Sequence, residues 1–350
     1  MPASSTEREV LTKVPFFLGI DVGSVTTKVV LINEKCEVLF DTYLRTEGGP
    51  IQAIQKGFRQ LFATHGDIPV AGVGTTGSGR RLAGIMVGAD VVKNEITAHA
   101  MAARHFEPNV RTVIDIGGQD SKIIFFNNGV PVGFNMNTVC AAGTGSFLDH
   151  QAVRLGIPIE EFGEYALRSS SPIKIAGRCG VFAESDLIHK QQMGYKKEDL
   201  IAGLCLALVG NYLNNVARGH RIEPPVLFQG GVAANIGMRA AFEKRLGMEI
   251  IVPPLFKVMG AFGAALLAKR YAERRRCPSN FRGASYIASF TCVPRTFTCG
   301  DCPNNCEINE VYISGELVSR WGSKCGKWYN LSLASDDRQE ERESPLRVSR

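Results

Sequence analysis

The chain has 350 residues, 45% of them hydrophobic and 21% charged, a composition that supports a sizeable core and excludes disorder over most of its length. Its net charge of +6, from 40 basic against 34 acidic residues, is too mild to call for nucleic acid or an anionic membrane as partner. The stretch MPASSTEREVLTKV has no apolar run after a basic start, and no run of 18 apolar residues follows, so we expect a cytoplasmic protein whose ten cysteines are metal ligands or buried thiols and not disulfides.

After a flexible stretch over residues 1–15, Phe16–Asn33 reads as strand, turn, strand: FFLGI, DVGSVTTK, VVLIN. The scheme recurs at Val110–Gly133 as VRTVIDI, GGQDSK, IIFFNNGVPVGF. Two strand-Asp-x-Gly-strand hairpins predict an internal duplication, each half presenting one loop to a shared cleft. Helical patterns lie at Ile51–His65, Asn94–Phe106, Gly145–Leu155, Lys197–Ala217 and Met259–Arg276. This gives a mixed α/β chain with lobe I at 16–105, lobe II at 106–258 and a helix at 259–276 that packs back on lobe I. Residues 277–330 then hold six of the ten cysteines, and 331–350 are too polar to pack.

Asp21-Val-Gly23-Ser24-Val-Thr26-Thr27-Lys28 is a turn in which glycine lets backbone amides approach an anion, hydroxyls donate, and the aspartate can hold hydrated magnesium. Asp115-Ile-Gly117-Gly118-Gln119-Asp120 is its second copy. A third element, Gln229-Gly230-Gly231-Val-Ala233-Ala-Asn235, follows a short strand and opens a helix, where an adenosine can pack on bare backbone. In this order the three resemble the phosphate-1, phosphate-2 and adenosine motifs of the actin/hexokinase-like superfamily. The strings NEITAHA, DIGGQDSK, VCAAGTGSF, GRCGVFAESD and FQGGVAAN further resemble the activators of 2-hydroxyacyl-CoA dehydratases and their relatives serving benzoyl-CoA reductases.

That resemblance, over about Phe16 to Ala272, implies a duplicated ribonuclease H-like two-lobed fold. It also implies an oxygen-sensitive homodimeric ATPase that passes a low-potential electron from a ferredoxin or flavodoxin to a dehydratase or reductase. It assigns Asp21, Gly23, Ser24, Thr26, Thr27 and Lys28 to phosphate and Mg2+, with Asp115, Gly117, Gly118 and Gln119 facing them and Gln119 orienting the attacking water. Gly143, Thr144 and Gly145, with Gly230, Gly231, Ala233 and Asn235, complete the ATP/ADP set. Cys140 and Cys179, each just before a predicted helix, are implied to hold one 4Fe-4S cluster with the same pair from a second chain. Cys36 and Cys205 read as structural.

Cys299, Cys302, Cys306 and Cys325 place four thiols across a predicted hairpin, suited to zinc or a second iron-sulfur cluster and expected to be the main source of order there. This extension resembles the segment after the first nucleotide-binding module in longer relatives. Two other readings stand beside the activator: a small-molecule kinase with Asp120 or Asp186 as base, and a nucleotide-switched regulatory module.

Overall fold

The strands of both halves are runs of β-branched and large apolar residues, buried along almost their whole length where the sheets are central. The computed structural model describes residues 15–137, 143–275 and 277–328. In the first half, β1 (Phe16–Val22), β2 (Thr26–Ile32), β3 (Val38–Arg45), β4 (Val70–Thr76) and β5 (Val91–Val92) form a sheet in the order β3-β2-β1-β4-β5. β1 runs antiparallel to β2 and parallel to β4. In the second, β6 (Thr112–Ile116), β7 (Ser121–Asn127), β8 (Val130–Asn137), β9 (Val226–Gln229) and β10 (Ile250–Ile251) take the order β8-β7-β6-β9-β10. β6 runs antiparallel to β7 and parallel to β9. One topology therefore occurs twice, as the paired hairpins predict.

The helices are α1 (Pro50–His65), α2 (Arg80–Val87), α3 (Glu95–Phe106), α4 (Gly145–Leu155), α5 (Ile159–Leu167), α6 (Gly180–Gln192), α7 (Lys197–Asn215), α8 (Ile236–Leu246), α9 (Met259–Arg275) and α10 (Ala284–Ser289). Those expected from periodicity are α1, α3, α4, α7 and α9. Periodicity does not show the short α5, although Pro158 precedes it and Glu160 and Glu161 sit in its first turn, which is how a helix start is marked. No helix among the described residues is long and apolar enough to cross a membrane.

The chain forms two compact units, one built from the residues up to Ala102 and those from Gly260 on, the other from Ala103–Met259. In the first, Leu18 and Ile20 of β1 pack with Ile54, Phe58 and Leu61 of α1. α9 lies directly on this sheet: a Cβ at Gly19 would sit 1.8 Å from the Ala261 carbonyl oxygen, and one at Gly74 2.2 Å from that of Ala264. In the second, Ile114 and Ile123 join Phe162, Leu204, Leu208, Phe228 and Phe242.

The C-terminal segment is part of the first unit. β11 (Cys292–Thr298), β12 (Glu307–Ile313) and β13 (Glu316–Trp321) form a three-stranded antiparallel sheet. Ile287, Phe290, Val311 and Ile313 are buried in the same apolar cluster as Ile54 and Phe58. The buried Asp90 carboxylate accepts hydrogen bonds from the Val73 amide at 2.8 Å, the Ser279 hydroxyl at 2.5 Å and the Asn280 amide at 2.9 Å. This segment thus has an apolar and hydrogen-bonded source of order beside its thiols. Val311→Ala is expected to cost about 2 kcal/mol through lost burial and a residual cavity, whereas Cys302→Ser, at an exposed position, should leave the melting temperature nearly unchanged. Thermal unfolding of both variants checks this.

Candidate functional site

Each repeat builds the same device at the end of its first strand. In the first unit Asp21 lies across from Lys28 on β2 and beside Thr76 on β4. The Lys28 ammonium is 3.0 Å from Asp21 Oδ2. The turn between is closed by the Gly23 amide donating to the Thr26 carbonyl at 2.9 Å, and the Thr46 hydroxyl donates to the Gly23 carbonyl at 3.1 Å. In the second unit Asp115 lies across from Lys122 on β7 and beside Gln229 on β9. Lys122 is 3.7 Å from Asp115 Oδ2 and 3.0 Å from Asp120 Oδ1, and the Gly117 amide donates to the Asp120 carbonyl at 2.9 Å.

The strand neighbouring each aspartate ends in a glycine of positive φ, Gly77 at +89° and Gly230 at +87°. A Cβ there would lie 2.5 Å from Asp21 Oδ1 or 2.6 Å from Asp115 Oδ1, and 2.4 Å from the carbonyl oxygen of Val22 or Ile116. Gly260 closes on Asp21 from another side, its Cβ position 2.7 Å from Oδ2. The expected adenosine motif at Gly230 is therefore the repeat counterpart of Thr76-Gly77-Ser78-Gly79. Sequence reading left that turn out, although its glycine pair was the signal.

Around Lys122 the carboxylates of Asp115 and Asp120 face one ammonium, and carboxylate oxygens are the donor type a hydrated divalent cation takes. Burying Asp115 and Lys122, both under 5% exposed, carries a desolvation cost that packed apolar side chains would avoid. Tyr212 of α7 donates its hydroxyl to the Lys122 carbonyl at 2.6 Å. Burial, with the Asp115 charge adding to it, pushes this phenol well above its ordinary range, so it stays a neutral donor.

Gly143, with φ at +88°, and Thr144 lead into α4, whose first two residues attach it to the same loop. The Gly145 and Ser146 amides donate to the Gly117 and Gly118 carbonyls, each at 2.9 Å. Gly231 and Ala233 lie in a 3-10 turn after β9, and Asn235 caps α8 by accepting from the Met238 amide at 3.1 Å. Its buried Nδ2 has no hydrogen-bond partner among the described residues. Ser24 and Gln119 are exposed at the loop tips.

Cys179 precedes the first residue of α6, half-buried and free; Cys140 lies outside the described residues. Asn211 of α7 donates to the Gly177 carbonyl at 2.7 Å and the Arg178 carbonyl at 3.2 Å, holding the two residues that enter Cys179. Asp186 accepts from the Ala176 amide and from Lys190, each at 2.9 Å. Burial would raise the Asp186 carboxyl, yet these hydrogen bonds and the Lys190 charge hold it below the usual carboxylate range. It anchors backbone and does not present a base. Burial pushes the Cys205 thiol up to about 12, in keeping with an inert core position.

In the C-terminal segment the Cys299 thiol receives the Trp328 indole N–H at 3.3 Å and lies 3.4 Å from Asp301 Oδ2, while Asn304 donates to Cys302 at 3.6 Å. Among the described residues no three His, Cys, Asp or Glu side chains form a group that could hold a metal ion.

Over residues 18–268 the sequence matches the BadF/BadG/BcrA/BcrD ATPase family. The chain belongs to that family. This ATPase is 38% identical over 263 residues to the (R)-2-hydroxyglutaryl-CoA dehydratase activating ATPase of Acidaminococcus fermentans, spanning 74% of the chain and 99% of the relative. The crystal structure of component A of that dehydratase superposes with a TM-score of 0.67 over the same shares. The 2-hydroxyisocaproyl-CoA dehydratase activator of Clostridioides difficile is 35% identical, covering 72% of the chain and 94% of the relative. Its structure with bound ADPNP also gives a TM-score of 0.67, at 75% and 97% coverage. The expected two-sheet actin/hexokinase-like fold is thus the fold of this ATPase, and its three-stranded C-terminal sheet lies beyond the matched residues.

Gly230→Ala should lower ATP turnover about tenfold or more, because a left-handed residue with a Cβ must move Asp115 or the backbone beside it. Asp21→Asn and Asp115→Asn should each abolish turnover with the fold intact. Steady-state phosphate release alongside circular dichroism checks all three.

Proposed function

We propose that this ATPase uses ATP hydrolysis to deliver a low-potential electron to a partner enzyme of the 2-hydroxyacyl-CoA dehydratase or benzoyl-CoA reductase type. The hairpin loop of each unit binds phosphate, with Mg2+ held through water by Asp21 and Asp115 and the attacking water oriented by Gln119. The observation that carries this reading is the pair of hydrogen bonds from the α4 amides to Gly117 and Gly118. They fix the phosphate-2 loop to a helix whose start follows Cys140 by five positions in the sequence, so a loop that adjusts to the γ-phosphate pulls on the chain carrying that thiol.

Cys140 and Cys179, with their counterparts in a second copy, hold a 4Fe-4S cluster, and the helix dipole of α6 behind Cys179 favours the negative charge of thiolate ligation. The free, half-buried state of Cys179 and its place before a helix fit such a ligand. When bound, the cluster supplies one-electron transfer to the partner. About tenfold difference in nucleotide affinity between two conformations is worth about 1.4 kcal/mol, or about 59 mV for one electron. A shift of a few hundred millivolts therefore requires a preference of several powers of ten, which binding a triphosphate through two loops can supply. A ferredoxin or flavodoxin is the electron donor in this reading.

Cys179→Ser removes two of the four thiolates in a pair of chains, so anaerobic iron analysis should fall from about four irons per pair to background, with nucleotide binding retained. Dimers of the variant that keep their iron would rule out the shared cluster.

A further inference from the structure

The second unit carries a cavity of about 710 Å³, within the range of small-molecule sites. Its walls are residues 172–178 and one face of α7, with Arg245 from the end of α8. None of its lining residues belongs to the loops at 21–28, 115–122 or 229–235. Lys174, Arg178 and Arg245 are exposed at this cavity, and none of the three makes an ion pair among the described residues. No aspartate or glutamate is among the described residues lining it, whereas Asn214 and Asn215 bring amide groups to it. Ile173, Leu206 and Ala207 give it an apolar part, where α7 and the facing segment come close enough that a Cβ at Gly203 would meet the Ile173 carbonyl oxygen at 1.8 Å.

Three like charges around one concavity, none ion-paired among the described residues, repel one another, an arrangement that an anion relieves. Arginine presents a fork that matches phosphate oxygens in pairs, and lysine adds a point charge. The apolar wall stabilises the carbon part of a ligand and is of no use to a bare ion. We propose that this cavity binds a small organic phosphate, its phosphate held by Lys174, Arg178 and Arg245 and its carbon skeleton against Ile173, Leu206 and Ala207. Because residues 172–178 lead straight into Cys179, with Gly177 and Arg178 held by Asn211, an occupant bridging Lys174 and Arg245 restrains the segment entering that cysteine. The binding itself does not depend on the cluster assignment.

The test is calorimetric titration of the full chain with phenyl phosphate in saturating Mg-ADPNP, which keeps the phosphate loops occupied. One phenyl phosphate should bind per chain, and inorganic phosphate should bind several-fold more weakly. Lys174→Glu and Arg245→Glu should each weaken phenyl phosphate about tenfold or more, with Lys174→Gln intermediate and ADPNP affinity unchanged in all three. Equal affinity for inorganic phosphate would overturn the organic ligand. No binding to the intact protein, as when a second copy of the chain covers the cavity, or wild-type affinity in the charge-reversed variants, would overturn the site.

Discussion

The cross-strand aspartate–lysine pair under a glycine of positive φ is the constraint on which both halves of this protein depend. A carboxylate at the end of a central strand is costly to bury unless a cation or hydrogen-bond donors stand beside it. The antiparallel hairpin supplies the lysine through its register, and the parallel neighbour supplies the room through its glycine. Strand order follows, because the next chain segment must approach the aspartate with bare backbone. The duplication is therefore visible in chemistry as well as in topology: Asp21, Lys28 and Gly77 repeat as Asp115, Lys122 and Gly230.

The second repeat differs in what it is attached to. Its loop carbonyls are capped by the first amides of α4, and the carbonyl of Lys122 is held by a tyrosine that burial keeps neutral. The two hydrogen bonds from α4 run from backbone to backbone, with no flexible side chain in between. At Gly23 of the first unit it is the Thr46 hydroxyl that donates to the carbonyl. The two copies of one motif are thus held by different partners, a helix start in one and a hydroxyl in the other.

Much of this was legible in the sequence because it rests on local patterns. Strands such as FFLGI and TVIDI announce themselves by apolar runs, the hairpins by Asp-x-Gly, and α4 and α7 by their periodicity. What stayed hidden depends on contacts distant in sequence. The role of Gly77 cannot be read without knowing that β4 lies beside β1, and Asn211 looks like any polar residue near a helix end until its amide is seen on the carbonyls before Cys179. The cysteine spacing of the C-terminal segment drew attention to metal, while the apolar residues that seat it on α1, among them Ile287 and Val311, are spread too thinly for a periodic signal.

That seating has a consequence for the surface of the first unit. The family resemblance ends at residue 268, and the Acidaminococcus fermentans relative is matched almost end to end by three-quarters of this chain, so the sheet that follows is additional mass on a shared body. It takes up side chains of α1: Gln55 donates to the Phe290 carbonyl at 2.7 Å and Arg59 to that of Ala288 at 3.2 Å. What covers that flank of α1 is α10 and the residue after it, with the sheet following in the chain. The extension thereby satisfies two donors of α1 with carbonyls of its own backbone and makes that flank an internal contact of the chain.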